Sequence, residues 1–547
     1  MQTINNKIKT IILDISERKE IDGINFKIEK PKTSNHGDFS CNIAFLLSKK
    51  LGKNPIHIAN RYVEKINNLY SDFFDHVEIA GPGFINMFLS IQTITTELEI
   101  IINQKNNYGK NKSGQGQTAL VEFVSANPTG PLTVGHGRGA IIGDTVSNIL
   151  QWNGYSVDRE YYFNNAGKQM KLLAYSVYAR YLELLGEEFT IPEGGYEGEY
   201  IKEIAQKAVT MFSDQYKSNI DVEKFKSLAE RDIFSDIKNT LDSIGIKFDN
   251  FYNEHDLYID KSIYKVIEKL DKKGLIYYKD GATWFELTKL GKDTDRVLVK
   301  SSGEPTYRLP DIAYHITKFE RCYNLIVDVF GADHMDAYPD VISALSEMDY
   351  NKDIIRVILH QFVTLTKNGK PAKMSTRKAN FITIDQLSDE IGSDVLRYFF
   401  LMRGANTHLQ FDLNIAKSQS DENPVFYIQY AYARICNLLN RYESLSNSSI
   451  HKEINVKLLS EVSEREIIIM IISFPDIIHQ LKLKLEPQIL ANYLYDLSGL
   501  FHKYYANHKI ITDNKNITQA RTTLSYLVGI VLKSCLDILG ISSPSKM

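Results

Sequence analysis

Between residues 118 and 163 a strand, a Gly/Pro loop, a long helix and a second strand follow one another. No other stretch of the chain fixes so much of the fold. Thr118 to Val124 reads as a strand, and Pro128, Gly130 and Pro131 make the loop. Helical spacing then runs from about Gly135 to Trp152, where Gly154 can end it. Val157 to Phe163 reads as the second strand. Strand, helix, strand in this order predicts a βαβ unit of a parallel sheet. Leu325 to Phe330 and Ile355 to Leu359 are continuous apolar runs, as expected of further strands buried on both faces.

Other regions flank this core. Residues 1 to about 112 alternate helical and strand patterns, with a helix expected at Ile56 to Leu69 and strands at Val77 to Ile79 and Gly83 to Leu89. The stretch Asn103 to Gln117 has linker composition. Residues from about 168 to 280 are helical and charged and read as an insertion, after which strands are expected at Thr283 to Glu286 and Arg296 to Lys300. From Asp421 the pattern is helical to the end. Three domains are therefore expected, 1–112, 113–420 and 421–547, in line with a length of 547 residues.

Composition removes several function classes. Cys41, Cys322, Cys436 and Cys535 are scattered, so no zinc knuckle, metal site or disulfide framework is expected. That usage fits a reducing cytoplasm. The net charge is −3, so a nucleic-acid partner needs a local basic face. No signal-peptide pattern is present, and the longest aliphatic run, Ile467 to Ile472, is far shorter than a membrane span. A monomer with no membrane partner is expected.

Two motifs carry chemistry. In Asn127-Pro-Thr-Gly-Pro-Leu-Thr133-Val-Gly135-His136-Gly137, a loop leads from a strand into a helix N-terminus. Free N–H groups and the helix dipole bind phosphate there. Gly135 and Gly137 would admit a nucleotide to the backbone, and His136 could donate to a phosphate oxygen. The glycines fit a plain turn as well. A dinucleotide fingerprint built on Gly135, Gly137 and Ala140 is disfavoured, because ten residues separate the strand from the first glycine. The second motif is Lys373-Met374-Ser375-Thr376-Arg377-Lys378, whose cations suit a triphosphate; alone it fits a solvated basic turn equally well.

Taken together, the motifs resemble the "HIGH" and "KMSKS" signatures of class I aminoacyl-tRNA synthetases. The finer resemblance is to the arginine enzymes and spans nearly the whole chain. It is carried by Val121-Glu122-Phe-Val-Ser-Ala-Asn127-Pro, Tyr162-Phe-Asn-Asn-Ala-Gly167-Lys-Gln169, the run from Arg296 through Tyr307 and Asp311 to His315, Gly331-Ala-Asp333-His334 and Asn423-Pro-Val-Phe-Tyr427-Ile-Gln-Tyr430. The N-terminal segments His36-Gly-Asp-Phe39 and Ala80-Gly-Pro-Gly-Phe84-Ile-Asn86 resemble the family's domain for the tRNA D-loop.

The resemblance implies a multidomain α/β plus all-α architecture: a Rossmann-like parallel-sheet catalytic domain with a helical insertion, an α+β N-terminal domain and a C-terminal helical bundle that binds the anticodon. It implies ATP-driven activation of L-arginine, with Mg²⁺ on the phosphates, and transfer to the 3′-terminal ribose of tRNA(Arg). Activation would wait for bound tRNA. By position His136, Lys373 and Thr133 would be catalytic. Gly135, Gly137, His136, Asp333, His334, Lys373, Met374 and Ser375 would hold ATP. Glu122, Asn127, Tyr307, Asp311 and Gln169 would hold arginine, whose planar, permanently charged guanidinium calls for carboxylates and flat hydrogen-bonding groups. Asn86, Tyr427, Tyr430, Tyr505 and the terminal Met547 would meet tRNA. From the residues alone, Asp311 fits a helix cap, Tyr307 a core aromatic, and the Tyr427/Tyr430 pair a buried helix stripe.

Two positions depart from the family pattern. Thr133 stands where the first signature His is usual, and Thr376 where the second Lys of the later motif is usual. A rival reading is therefore a catalytically impaired tRNA-binding homologue. Another is a synthetase for cysteine or glutamate, which the absence of cysteine zinc ligands and the Glu122/Asp311 carboxylates oppose.

Overall fold

The computed structural model describes residues 2–31, 33, 36–371, 382–446 and 453–547. They form two compact units. One comprises residues 113–418 with 486–488; the other comprises 1–112, 419–485 and 489–547.

The first unit is organised by a five-stranded parallel sheet. Its spatial order is Ile355–His360, Leu325–Gly331, Thr118–Glu122, Ser156–Phe163 and Asn250–Asn253. The first of these five strands in chain order thus lies at the centre, and the chain winds outward from it on both sides. The order reverses between Thr118–Glu122 and Leu325–Gly331, where Asp328 sits opposite Glu122. In such a sheet ligands bind beyond the carboxyl ends of the strands, at this reversal. Thr118–Glu122 buries four of its five residues, which is why an uninterrupted apolar run forms it. Helix Val134–Trp152 follows and is buried along most of its length.

The expected insertion differs in detail. Residues Gly167–Leu184, Glu199–Phe212 and Val222–Ser243 are helices, but Asn250–Asn253 within the same span is an edge strand of the central sheet. Its four residues, Asn-Phe-Tyr-Asn, show neither an apolar run nor alternation long enough to identify a strand. Ala282–Phe285 and Arg296–Val299 belong to a separate antiparallel sheet with Ile276–Lys279.

In the second unit the N-terminal segment forms a four-stranded antiparallel sheet, including Phe74–Ala80 and Phe84–Leu89, with helices such as Pro55–Leu69. The C-terminal segment is helical, from Pro424–Ser446 to Lys515–Leu539. The two segments are joined by a bidentate pair: Arg465 donates to both carboxylate oxygens of Asp38 at 2.9 and 2.7 Å, and to the Leu89 carbonyl at 2.9 Å. Helix Lys515–Leu539 is long and apolar enough to cross a membrane by composition, but 83% of its most apolar window is buried inside the protein.

Candidate functional site

At the sheet reversal lies a cavity of about 550 Å³, within the range of small-molecule sites. Its wall begins where the chain leaves strand Thr118–Glu122. Val124 and Ser125 there adopt φ of 67° and 47°, and a β-branched residue in that region marks strain at a functional surface. Both line the cavity, as do Glu122, Asn127, Thr133, Gly135, His136, Tyr307, Asp311, Asp333 and His334. Residues from four separate segments are thus brought together.

Helix Val134–Trp152 opens on this cavity. The Thr133 backbone N–H donates to His136 Nδ1 at 3.1 Å, so that nitrogen carries the lone pair and the proton sits on Nε2. Burial holds the imidazole below its usual range, with Asp333 opposing in part, so the ring is a neutral donor. Thr133 Oγ1 lies 3.3 Å from the same nitrogen. Gly135 meets only Thr133 Oγ1, at 3.7 Å from where a Cβ would stand, and leaves the backbone open. Gly137 does not line the cavity. Its missing Cβ makes room for Ile384 and Phe400, at 3.0 and 3.4 Å, so this glycine serves helix packing. The glycine that shapes the cavity is Gly139, where a Cβ would stand 2.8 Å from His360 Nε2.

Opposite, helix Arg308–Glu320 supplies the acidic end. Tyr307 caps it and is 59% exposed at the rim, while Asp311 one turn on is half-buried in the cavity wall. Burial pushes the Asp311 carboxyl up to about 7. His315 and Lys318 pull it down in part, and Glu122 and Glu254 push it further up. Glu122 is 2% exposed and already engaged: Oε1 accepts from Ser125 Oγ at 2.9 Å and Oε2 from Lys318 Nζ at 2.5 Å. Asn127 is fixed at both ends of its amide. Its Nδ2 donates to Gln169 Oε1 at 3.1 Å, and its Oδ1 accepts from the Asn164 N–H at 3.0 Å. Gln169 therefore steadies Asn127 from outside the cavity lining. Asp333 and His334 form a short turn, with the His334 ring stacked on Phe330 at 5.0 Å.

Several cavity residues had no signal in the sequence. Glu254 accepts from Tyr162 Oη at 2.8 Å and Asn164 Nδ2 at 2.7 Å, and burial raises its carboxyl. It comes from the span that reads as an insertion. His360 is pushed down to about 4 by burial, with nearby Arg138 adding to the effect. Arg138, fully buried, donates to the carbonyls of Gln361 at 2.7 Å, Thr407 at 2.9 Å and Gly404 at 3.0 Å. Lys318 was findable, since it lies seven residues beyond Asp311 on one helix face.

Lys373, Met374 and Ser375 lie outside the described residues. The chain beyond them is tied to the signature loop. Thr383 bridges Thr133, and the Ile384 N–H donates to the Leu132 carbonyl at 3.0 Å.

In the second unit, three of the expected tRNA-facing tyrosines meet around two residues the sequence did not single out. The Arg434 guanidinium lies 4.5 Å from the Tyr430 ring centroid and 4.7 Å from that of Tyr505. Arg434 Nη1 donates to His502 Nδ1 at 3.0 Å, and His502 Nε2 donates to the Tyr427 carbonyl at 2.9 Å. Tyr430 is 36% exposed and Met547 51%. Gln429 holds the C-terminal segment through the Ser542 carbonyl at 3.0 Å. Asn86, expected at a tRNA surface, is instead 2% exposed. It lies on an inner strand, paired with Ser40 on one side and Glu78 on the other, and its Nδ2 is buried without a partner among the described residues.

Residues 97–398 match the model of the class I (R) tRNA synthetase catalytic domain, more than half of the chain. Residues 2–89 match the arginyl tRNA synthetase N-terminal domain and 428–547 the DALR anticodon binding domain. The chain belongs to the arginyl-tRNA synthetase family. Its activity is accordingly that of a class I arginine–tRNA ligase, with ATP as co-substrate. The arginine–tRNA ligase of Desulfotalea psychrophila is 46% identical over 525 residues, covering 95% of each protein. That of Chlorobium phaeobacteroides is 46% identical over 531 residues, covering 95% of this chain and 96% of the relative. The fold is shared with the arginyl-tRNA synthetase of Thermus thermophilus at a TM-score of 0.78 and 18% identity, over the full length of both.

Proposed function

We propose that this synthetase binds arginine at the Asp311 end of the cavity and ATP at the His136 end, and joins them there. The observation that carries this reading is the pairing of one half-buried carboxylate, Asp311, with a neutral histidine donor at a helix N-terminus. A guanidinium stays charged at every relevant pH, so it restores the ionised form of a carboxyl that burial has raised. Asp311 meets it, with Tyr307 closing the rim and Glu254 behind. Asn127, steadied by Gln169, faces the amino-acid end of the substrate. His136 Nε2 donates to a phosphate oxygen, with the N–H groups after Gly135 and the helix dipole beside it. Asp333 and His334 take the adenosine side.

The arginine carboxylate then attacks the α-phosphorus and pyrophosphate leaves. The adenylate passes its arginyl group to the terminal ribose of tRNA(Arg). No covalent enzyme intermediate is needed, so the protein's part is positioning and charge stabilisation. Magnesium fits this site as an ion delivered by the triphosphate, since a single carboxylate, Asp333, stands at that end. Lys373 with Met374 and Ser375 is assigned to the phosphates, an assignment supported by the Thr383–Thr133 bridge. Tyr427, Tyr430, Tyr505 and Arg434 are assigned to unstacked anticodon-loop bases, which lie well on aromatic and guanidinium planes. Residues 1–112 are assigned to the D-loop side of tRNA, and the active form is taken as a cytoplasmic monomer.

Pyrophosphate exchange with arginine, citrulline and lysine, with and without tRNA, tests this reading. Exchange should require arginine. Citrulline, which lacks the charge but keeps the shape, should fall by about a hundredfold or more if the Asp311 pairing is made. Equal exchange with citrulline would overturn it, and so would Lys373→Ala exchanging as fast as the unaltered enzyme for the phosphate assignment.

A further inference from the structure

Under the arginine end of the cavity lies a buried group of charges that the reaction does not itself require. Glu122 and Asp328 are register partners on adjacent parallel strands, so two carboxylates stand side by side at the sheet reversal. Like charges in that position repel. Between them comes Lys318, fully buried, with Nζ 2.5 Å from Glu122 Oε2 and 2.6 Å from Asp328 Oδ1. Its ammonium also lies 4.4 Å from the centroid of the buried Tyr314 ring. Burial works against charge on Lys318, but the two carboxylates outweigh it and hold the amine above its usual range. Asp328 Oδ2 lies 3.1 Å from His315 Nε2, and His315 Nδ1 lies 2.8 Å from the Asp311 carbonyl. The network therefore ends on the backbone of the carboxylate assigned to arginine. Glu254 is engaged separately by its tyrosine and asparagine donors. Among the described residues, no ion pair forms on Asp311.

We propose that Lys318 is a positioning residue that determines specificity for a single guanidinium. It is a resident cation that saturates Glu122 and Asp328, so that neither adds an uncompensated charge beside Asp311. The proposal rests on the arginine reading above. Without Lys318, Glu122 would face the cavity as a further uncompensated carboxylate. The guanidinium would then be drawn off the geometry that presents its carboxylate to ATP, or one of the two acids would protonate and repack. Either outcome weakens productive arginine binding and leaves the nucleotide end untouched.

The test is pyrophosphate exchange by the full-length enzyme with tRNA present. Lys318→Met keeps the stem and removes the charge. It should raise KM for arginine by about tenfold or more, as loss of one partner of a buried charge pair does, with KM for ATP within about twofold. The decisive comparison is a cycle with Glu122→Gln. If Lys318 acts through Glu122, the double variant should have an arginine KM within about threefold of Glu122→Gln alone. Multiplicative effects, an unmoved arginine KM, or equal rises in both KM values would overturn the proposal. Should Lys318→Met fail to fold, the charge-neutral double variant against Glu122→Gln decides by the same threefold criterion. Unaltered enzyme that fails to exchange with arginine would sink the functional reading instead, so the two failures are distinguishable.

Discussion

Arginine binding should release a proton, because Asp311 is held near pH 7 in the free cavity while the guanidinium needs it ionised. With the carboxyl at about 7, roughly a tenth of the molecules carry the proton at pH 8 and roughly nine-tenths at pH 6. Only the ionised fraction binds productively, so KM for arginine should rise about tenfold from pH 8 to pH 6, or ~1.4 kcal/mol. KM for ATP should move far less, since burial holds His136 below its usual range and His360 at about 4. The assay is pyrophosphate exchange at saturating ATP and tRNA. Calorimetry in buffers of different ionisation enthalpy should count up to about one proton released per arginine at pH 6 and few at pH 8. The sign carries over to stability. A carboxyl raised by folding contributes stability that is present at low pH and lost as pH rises through the folded value. The ligand-free enzyme should therefore melt lower at pH 8 than at pH 6 through this group, and saturating arginine should offset the loss. An arginine KM that stays flat between pH 8 and 6, or an Asp311→Asn variant that keeps the same slope, would refute the reasoning.

Other measurements follow from the same geometry. His136→Ala removes a preorganised donor to the phosphates and should slow exchange by about a hundred- to a thousandfold, with KM for arginine little changed. Gly139→Ala sets a methyl 2.8 Å from His360 Nε2 and should raise KM for ATP several-fold while sparing arginine, read as two separate KM values in the same assay. Arg434→Ala opens the Tyr430/Tyr505 stack and should raise KM for tRNA in charging by about tenfold, as loss of one stacking plane does, with the arginine KM at saturating tRNA unchanged.

Local pattern in the chain determined the backbone elements that build the site. The apolar run at Thr118 makes the central strand, and the Gly/Pro loop makes the helix start at Val134, because both signals are satisfied within a few residues. The spacing of Tyr307 and Asp311, and of Tyr427 and Tyr430, placed each pair on one helix face for the same reason. What those side chains meet was decided only when distant segments packed. Glu122 reads in the sequence as a carboxylate free for the substrate, yet the fold commits it to Lys318, nearly two hundred residues away. Gly137 and Gly139 look interchangeable in the motif, and only the approach of Ile384 to one and His360 to the other separates them. Asn86 lies in a recognisable strand, but which face of the sheet is covered depends on its neighbours. Periodicity is a property of adjacent residues, whereas desolvation and charge pairing depend on every atom nearby. For that reason the chain announces its strands and helices, while the tertiary structure decides which carboxylates of the cavity are paired with a cation.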